Sequence, residues 1–163
     1  IPRWVILLNR KIFLNKSKRF NNSKKIFLDR STSKFNHCKI FNQNYLNIWL
    51  KKNNFTIYAP EKFSQEKQIY LFKNASIILG AHGAALTNII FCKPGTKVIE
   101  IIPADHPNKK CERISKILRL RYFRIKTKPD NSDKNFPFKI HLNKRHLKII
   151  NDKKRNIFFI KVI

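Results

Sequence analysis

Acidic residues are scarce in this chain: 9 Asp and Glu stand against 36 Lys and Arg in 163 residues, a formal net charge of +27. No Asp-x-Asp pair is available to hold a divalent cation, and Asp130 and Asp133 fall in a stretch that reads as a solvated loop. No His/Asp/Glu cluster has metal-ligand spacing either, so neither an obligatory metal nor a cofactor is expected. The three cysteines, Cys38, Cys92 and Cys111, are odd in number and form no Cys-x-x-Cys. That excludes a disulfide framework and a spaced zinc site, and makes a reducing, cytoplasmic compartment the simpler expectation. Glycine is equally rare, at 3 residues (Gly80, Gly83 and Gly95). No stretch approaches the ~20 apolar residues of a helical membrane span, and nothing at the start has the layout of a signal peptide. The Gly-x-x-x-x-Gly-Lys-[Ser/Thr], Gly-x-Gly-x-x-Gly and Gly-x-Ser-x-Gly motifs are all absent.

What is present suits one folded domain. Hydrophobic residues make up 42% and aromatics 12%, enough for a real core and too much for a disordered tail. Heavy use of Lys, Ile, Phe and Asn (18 residues) points to A/T-rich codons as one source of the charge. The charge is also uneven: residues 1–60 carry +12, residues 61–108 only +1, and residues 109–163 carry +14. All three glycines sit in the near-neutral middle block. The first residue is Ile, and the chain reads as a piece of a longer protein, with 1–24 a basic lead-in from an upstream domain.

Apolar periodicity then sets out the elements. Residues 25–30 read as a strand, Asn42 to Asn53 as a helix, Phe55–Tyr58 as a strand, and a helix capped by Ser64 runs through Phe72. Ser76–Leu79 reads as a short strand ending at Gly80, Gly83–Phe91 as a helix, and Pro94-Gly95 as a turn. Lys97–Ile102 is a further strand, Asn108–Leu120 a basic helix, and Tyr122–Lys126 a fifth strand. Residues 25–127 make the main α/β domain. Residues 128–163 supply a loop, a helix near His141–Lys153 and a Phe/Ile-rich end, all packing on it. Alternation of strands and helices predicts a parallel sheet with helices on both faces.

The most informative stretch is Gly80-Ala81-His82-Gly83-Ala84-Ala85-Leu86-Thr87-Asn88. A buried strand runs straight into a glycine-bracketed turn and a helix with small residues in its first turn. Ligands of parallel sheets bind beyond the carboxyl ends of strands. The unpaired N–H groups at such a helix start, around Gly83 to Leu86, favour an anionic group such as phosphate. A Gly-x-x-Gly turn also occurs where two glycines only solve a packing problem, and His82 could equally be a satisfied structural histidine.

From Lys25 to Pro103 the ordered string resembles glycosyltransferase family 61. The resemblance rests on Asp29-Arg30-Ser31 after a strand, Lys39-Ile40-Phe41-Asn42 opening a helix, and Pro60-Glu61, Ser64, Gln68-Ile69 and Leu71-Phe72. It continues through Gly80 to Phe91 and ends on Pro94-Gly95 and Val98-Ile99-Glu100-Ile101. The central motif is specific, while the flanks match in pattern, with Lys39 standing where the family often has Arg. The resemblance implies the Rossmann-like, nucleotide-binding half of a GT-B type enzyme. It implies inverting, metal-independent transfer of a sugar, from a UDP-sugar by expectation, to a glycan or lipid-linked glycan acceptor in surface polysaccharide synthesis.

By position, Arg30 would contact the diphosphate, as would the backbone around Gly80, Gly83, Ala84 and Ala85. Thr87 and Asn88 would hydrogen-bond the donor or only the local backbone. Glu100, one of the few acids and set inside an apolar strand, needs a partner: ribose hydroxyls, or a salt bridge. The base for the acceptor hydroxyl would be His82 or lie in the missing half. A basic nucleic-acid-binding domain is the competing reading of +27, but no RNA- or DNA-binding signature is legible. Attachment to an acidic membrane surface at its inner face is a third use of the charge.

Overall fold

The computed structural model describes residues 1–14, 24–33, 37–130, 132 and 138–155. Five parallel strands form one sheet: β1 (Lys25–Leu28), β2 (Thr56–Tyr58), β3 (Ile77–Ala81), β4 (Lys97–Pro103) and β5 (Arg121–Thr127), in the order β2-β1-β3-β4-β5. The register pairs Phe27 with Leu79 and Leu79 with Ile99 across the centre. Such a sheet is buried on both faces, so its central strands read as unbroken apolar runs rather than alternating ones. Side chains still alternate between faces. Ile26, Leu28, Ile78 and Val98 enter one core, and Phe27, Leu79, Ile99 and Ile101 enter the other. Each fully buried branched side chain of this kind contributes about 1.5–3 kcal/mol.

The first face is covered by α1 (Arg3–Phe13), α3 (Gln65–Asn74), a 3-10 segment (Ala84–Phe91) and α4 (Lys110–Leu118), through Ile6, Phe72, Ile89 and Ile114. The second is covered by α2 (Gln43–Lys52) and α5 (Lys144–Arg155), through Leu46, Leu50, Leu147 and Ile150. Asn42 joins the covering pieces of that face. Its side chain donates to the Leu142 carbonyl at 2.6 Å and accepts from the Leu142 N–H at 3.0 Å.

Local signals explain the boundaries. Ser64 caps α3 by accepting from the Lys67 N–H at 3.3 Å. After α2 the chain turns at Asn54, φ 57°, in the left-handed conformation Asn tolerates. Gly95, φ 83°, closes the Pro94-Gly95 turn. The sheet edges are blunted by the short β2 and by the charges of β5, Arg121, Arg124 and Lys126.

Two expectations need correcting. Residues 3–13, read as part of a lead-in from elsewhere, form α1 of this same domain; Ile6 is 1% exposed. The Arg10 guanidinium donates to the Ile90 and Cys92 carbonyls at the end of the 3-10 segment. Residues 84–91, expected as an α-helix, adopt the tighter 3-10 form, in which the Leu86 N–H already bonds the Gly83 carbonyl at 3.1 Å. Most of the predicted loop between Asn131 and Pro137 and the Phe/Ile-rich end lie outside the described residues.

Candidate functional site

The chain leaves β1 towards β2 on one side and β3 towards β4 on the other, so the strand order reverses between β1 and β3. A crevice opens at such a point beyond the carboxyl ends of the strands. Arg30 stands two residues past β1, and His82-Gly83 directly follow β3. The Arg30 guanidinium crosses the gap and donates to the His82 carbonyl. Gly83 lets it do so. With φ 168° its backbone is extended and open to any residue, but a Cβ there would lie 2.5 Å from Arg30 Cζ and 2.9 Å from Nε. Burial lowers the Arg30 pKa, while Cys38 and the Glu61 carboxylate act the other way.

Two hollows flank this guanidinium. One, of about 310 Å³, is lined by Arg30, His37, His82, Gly83, Ala84, Thr87, Asn108, Lys110 and Cys111. The other, of about 220 Å³, is lined by Arg30 with Phe27, Leu28, Ser31, Lys39, Phe41 and Ala81 among others. A larger cleft of about 810 Å³ lies off the switch point, between the end of β5 and α5. We place the site at the pair of hollows because the cation bridging them sits where the topology opens the sheet.

Beneath the first hollow a buried relay fixes His82. Its Nδ1 lies 2.6 Å from Glu100 Oε1, and the Tyr122 hydroxyl donates to Oε2. Burial pushes the Glu100 carboxyl up. The hydrogen bonds from His82, Tyr122 and the Cys111 thiol, with the His82 charge, outweigh it and hold the carboxyl below its usual range. Burial and the bond to Glu100 push the Tyr122 phenol up, so it remains a donor. With Nδ1 turned to the carboxylate, Nε2 is the ring nitrogen that faces away from Glu100.

The imidazole of His37 also lines this hollow, and that of His106 packs behind it; their ring centroids lie 5.9 Å and 4.3 Å from that of His82. His106 Nδ1 accepts from the Asn108 N–H at 3.2 Å, which puts its proton on Nε2, 3.0 Å from His37 Nε2. Burial and the neighbouring His82 lower the pKa of both rings, that of His106 to about 4. His37, Cys38 and His106 come within 4.8 Å of one another, close enough to share a metal ion. The His106 proton points into that space, however, so the set as arranged does not fit one.

The expected site residues divide. Arg30, His82, Gly83, Ala84 and Thr87 line the first hollow. Gly80 sits inside β3, where a Cβ would come 3.1 Å from Leu28 Cβ, and lines neither hollow. Ala85 and Asn88 do not line the hollow; the Asn88 amide donates to Gln68 Oε1 of α3 at 2.8 Å. Glu100 is 1% exposed with both oxygens engaged, so of its two expected partners the ion pair is the one present. Sequence reasoning missed Asn108, Lys110, His37 and His106. Lys110 opens α4, whose start faces the hollow because every loop leaving a parallel strand begins on the same edge. The expected α-helical N-terminus at this site is therefore supplied by α4 and not by residues 84–91.

The sequence model of the family described as Glycosyltransferase 61 matches residues 2–99. Among curated proteins, a beta-1,2-xylosyltransferase of Arabidopsis thaliana is 39% identical over 59 residues, 36% of this chain and 11% of that protein. A beta-1,2-xylosyltransferase of Oryza sativa subsp. japonica is 36% identical over 62 residues, 38% of this chain and 12% of the relative. A xylan glycosyltransferase of Arabidopsis thaliana is 40% identical over 48 residues, 29% of this chain and 10% of the relative. The chain thus covers about a tenth of the length of these relatives.

Proposed function

The chain belongs to glycosyltransferase family 61, and from that membership we propose that it holds the sugar-nucleotide donor for transfer to a glycan acceptor with inversion. The observation that carries this reading is the Arg30 guanidinium laid against Gly83 at the switch point. A planar cation there, with Lys110 at the start of α4 across the hollow, suits a diphosphate. The smaller hollow, with the half-exposed Phe41 ring and Lys39, suits the nucleoside, a UDP group in our reading. The names of the relatives favour a pentose such as xylose as the sugar.

The chemistry follows from the groups. An acceptor hydroxyl attacks the anomeric carbon from the face opposite the diphosphate, and the bond to the diphosphate oxygen breaks with inversion. Arg30 and Lys110 take up the charge developing on the leaving group, the service a metal gives elsewhere. His82 Nε2 is the base this chain offers for the hydroxyl proton. Glu100 holds its ring in register and stabilises the imidazolium that forms. The acceptor is a polymeric or lipid-linked glycan, such as a surface polysaccharide.

Calorimetric titration with UDP tests the reading. We expect micromolar binding that weakens roughly tenfold or more in Arg30→Ala, through loss of charge-assisted hydrogen bonds. Salt-sensitive binding of any oligonucleotide, with no binding of UDP, would show a nucleic-acid protein and overturn it.

A further inference from the structure

The helix α1 is apolar on two sides. Ile6, Phe13 and Leu14 turn inward onto the core beside the 3-10 segment. On the outside, Trp4 (66% exposed), Leu7, Leu8 and Ile12 form a bare stripe at helical spacing, extended by Ile1. A contiguous exposed apolar patch marks an interaction surface, so the outer stripe calls for a cover. Its length, 11 residues, is too short to cross a bilayer. It suits a helix lying in the plane of an interface.

The surroundings say which interface. Arg3 and Lys11 are exposed on the same helix. Beside Ile1 a notch of about 300 Å³ is lined by Lys109, Lys110, Arg113 and Asn108. Trp4 carries the amphipathic ring that settles at headgroup depth, and long basic side chains keep their charges in the headgroups while their stems lie along apolar surface. An anionic lipid leaflet meets both features at once, with phosphates at its surface for the cations and acyl chains beneath them for the apolar stripe.

We propose that the outer face of α1 and the basic notch at the start of α4 form a docking surface for an anionic phospholipid membrane. Asn108 and Lys110 line both this notch and the larger hollow at the switch point, so docking brings that hollow to the lipid surface. The inference stands whether or not the hollow takes a sugar nucleotide, because nothing in it requires the ligand.

Co-sedimentation of the full chain with vesicles tests it. Vesicles of mixed phosphatidylcholine and phosphatidylglycerol should bind the chain, and pure phosphatidylcholine at least tenfold more weakly. The exposed substitutions Trp4→Ser with Leu8→Ser should lower binding tenfold or more while leaving far-ultraviolet circular dichroism unchanged. Lys109→Gln and Arg113→Gln should each lower it about fivefold, with the loss confined to the anionic vesicles. The proposal is overturned if no vesicle binds. Binding indifferent to Trp4→Ser and Leu8→Ser also overturns it, since attraction would then be charge alone. A dimer in size-exclusion light scattering that Trp4→Ser dissolves, without vesicle binding, would show a second copy as the cover and overturn it too.

Discussion

At Gly83 the space a side chain would fill is taken by the Arg30 guanidinium, whereas at Gly80 it is taken by the Cβ of Leu28. The two substitutions should therefore separate binding from stability. In Gly83→Ala the overlap is with the far end of a flexible side chain, which can swing away. Stability should fall by less than ~1 kcal/mol while UDP affinity falls about tenfold, because the displaced guanidinium no longer faces the hollow. In Gly80→Ala the overlap is with the root of a buried side chain on the paired strand β1, and stability should fall by about 1–3 kcal/mol. Urea denaturation beside calorimetric titration checks both. If the two alanines behaved alike, the division of labour drawn here would be wrong.

Glu100 allows a pH prediction with a definite sign. Its carboxyl is held below the usual range in the folded chain, so the unfolded state binds the proton more readily. The stability it contributes is complete above the unfolded value, about pH 4.3, and is lost as pH falls through the folded one. Urea midpoints taken downward from pH 6 should show a progressive loss that Glu100→Gln flattens. A slope unchanged in that variant would mean that other carboxyls carry the acid sensitivity.

Among elements, those with local punctuation were legible: Ser64 before α3, Asn53-Asn54 after α2, and Pro94-Gly95 before β4. The 3-10 segment was not, since its sequence satisfies a helix pattern equally well; what distinguishes it is packing. Asn88 is tied to Gln68, and the carbonyls of Ile90 and Cys92 are drawn to Arg10 on α1. The end of α4 offers a test of local strain. Arg119 sits at the helix terminus with φ 55°, where a side chain costs about 1 kcal/mol or more relative to glycine. Arg119→Gly should raise the urea midpoint by an amount equivalent to roughly 0.5–1 kcal/mol. A fall would show that the side chain contributes more than its backbone costs.

Over the whole molecule the charge resolves into places. Part of it blunts the β5 edge, part flanks the outer face of α1, and Arg30 and Lys110 face the hollow at the switch point. No described helix is long and apolar enough to cross a membrane. The sequence by itself determined the five strands, their parallel arrangement and the motif from Gly80 to Asn88, because apolar runs, caps and glycines act over a few neighbouring residues. Only the tertiary structure decided which chemistry meets at the site. Arg30 follows β1, His82 follows β3, and His106 and Lys110 both follow β4, while His37 and His106 lie 69 residues apart yet 3.0 Å in contact. It also assigned Glu100 to His82 and turned Asn88 towards Gln68. Strand order brings such loops to one edge of the sheet, and strand order is set by long-range packing that spacing along the chain does not carry.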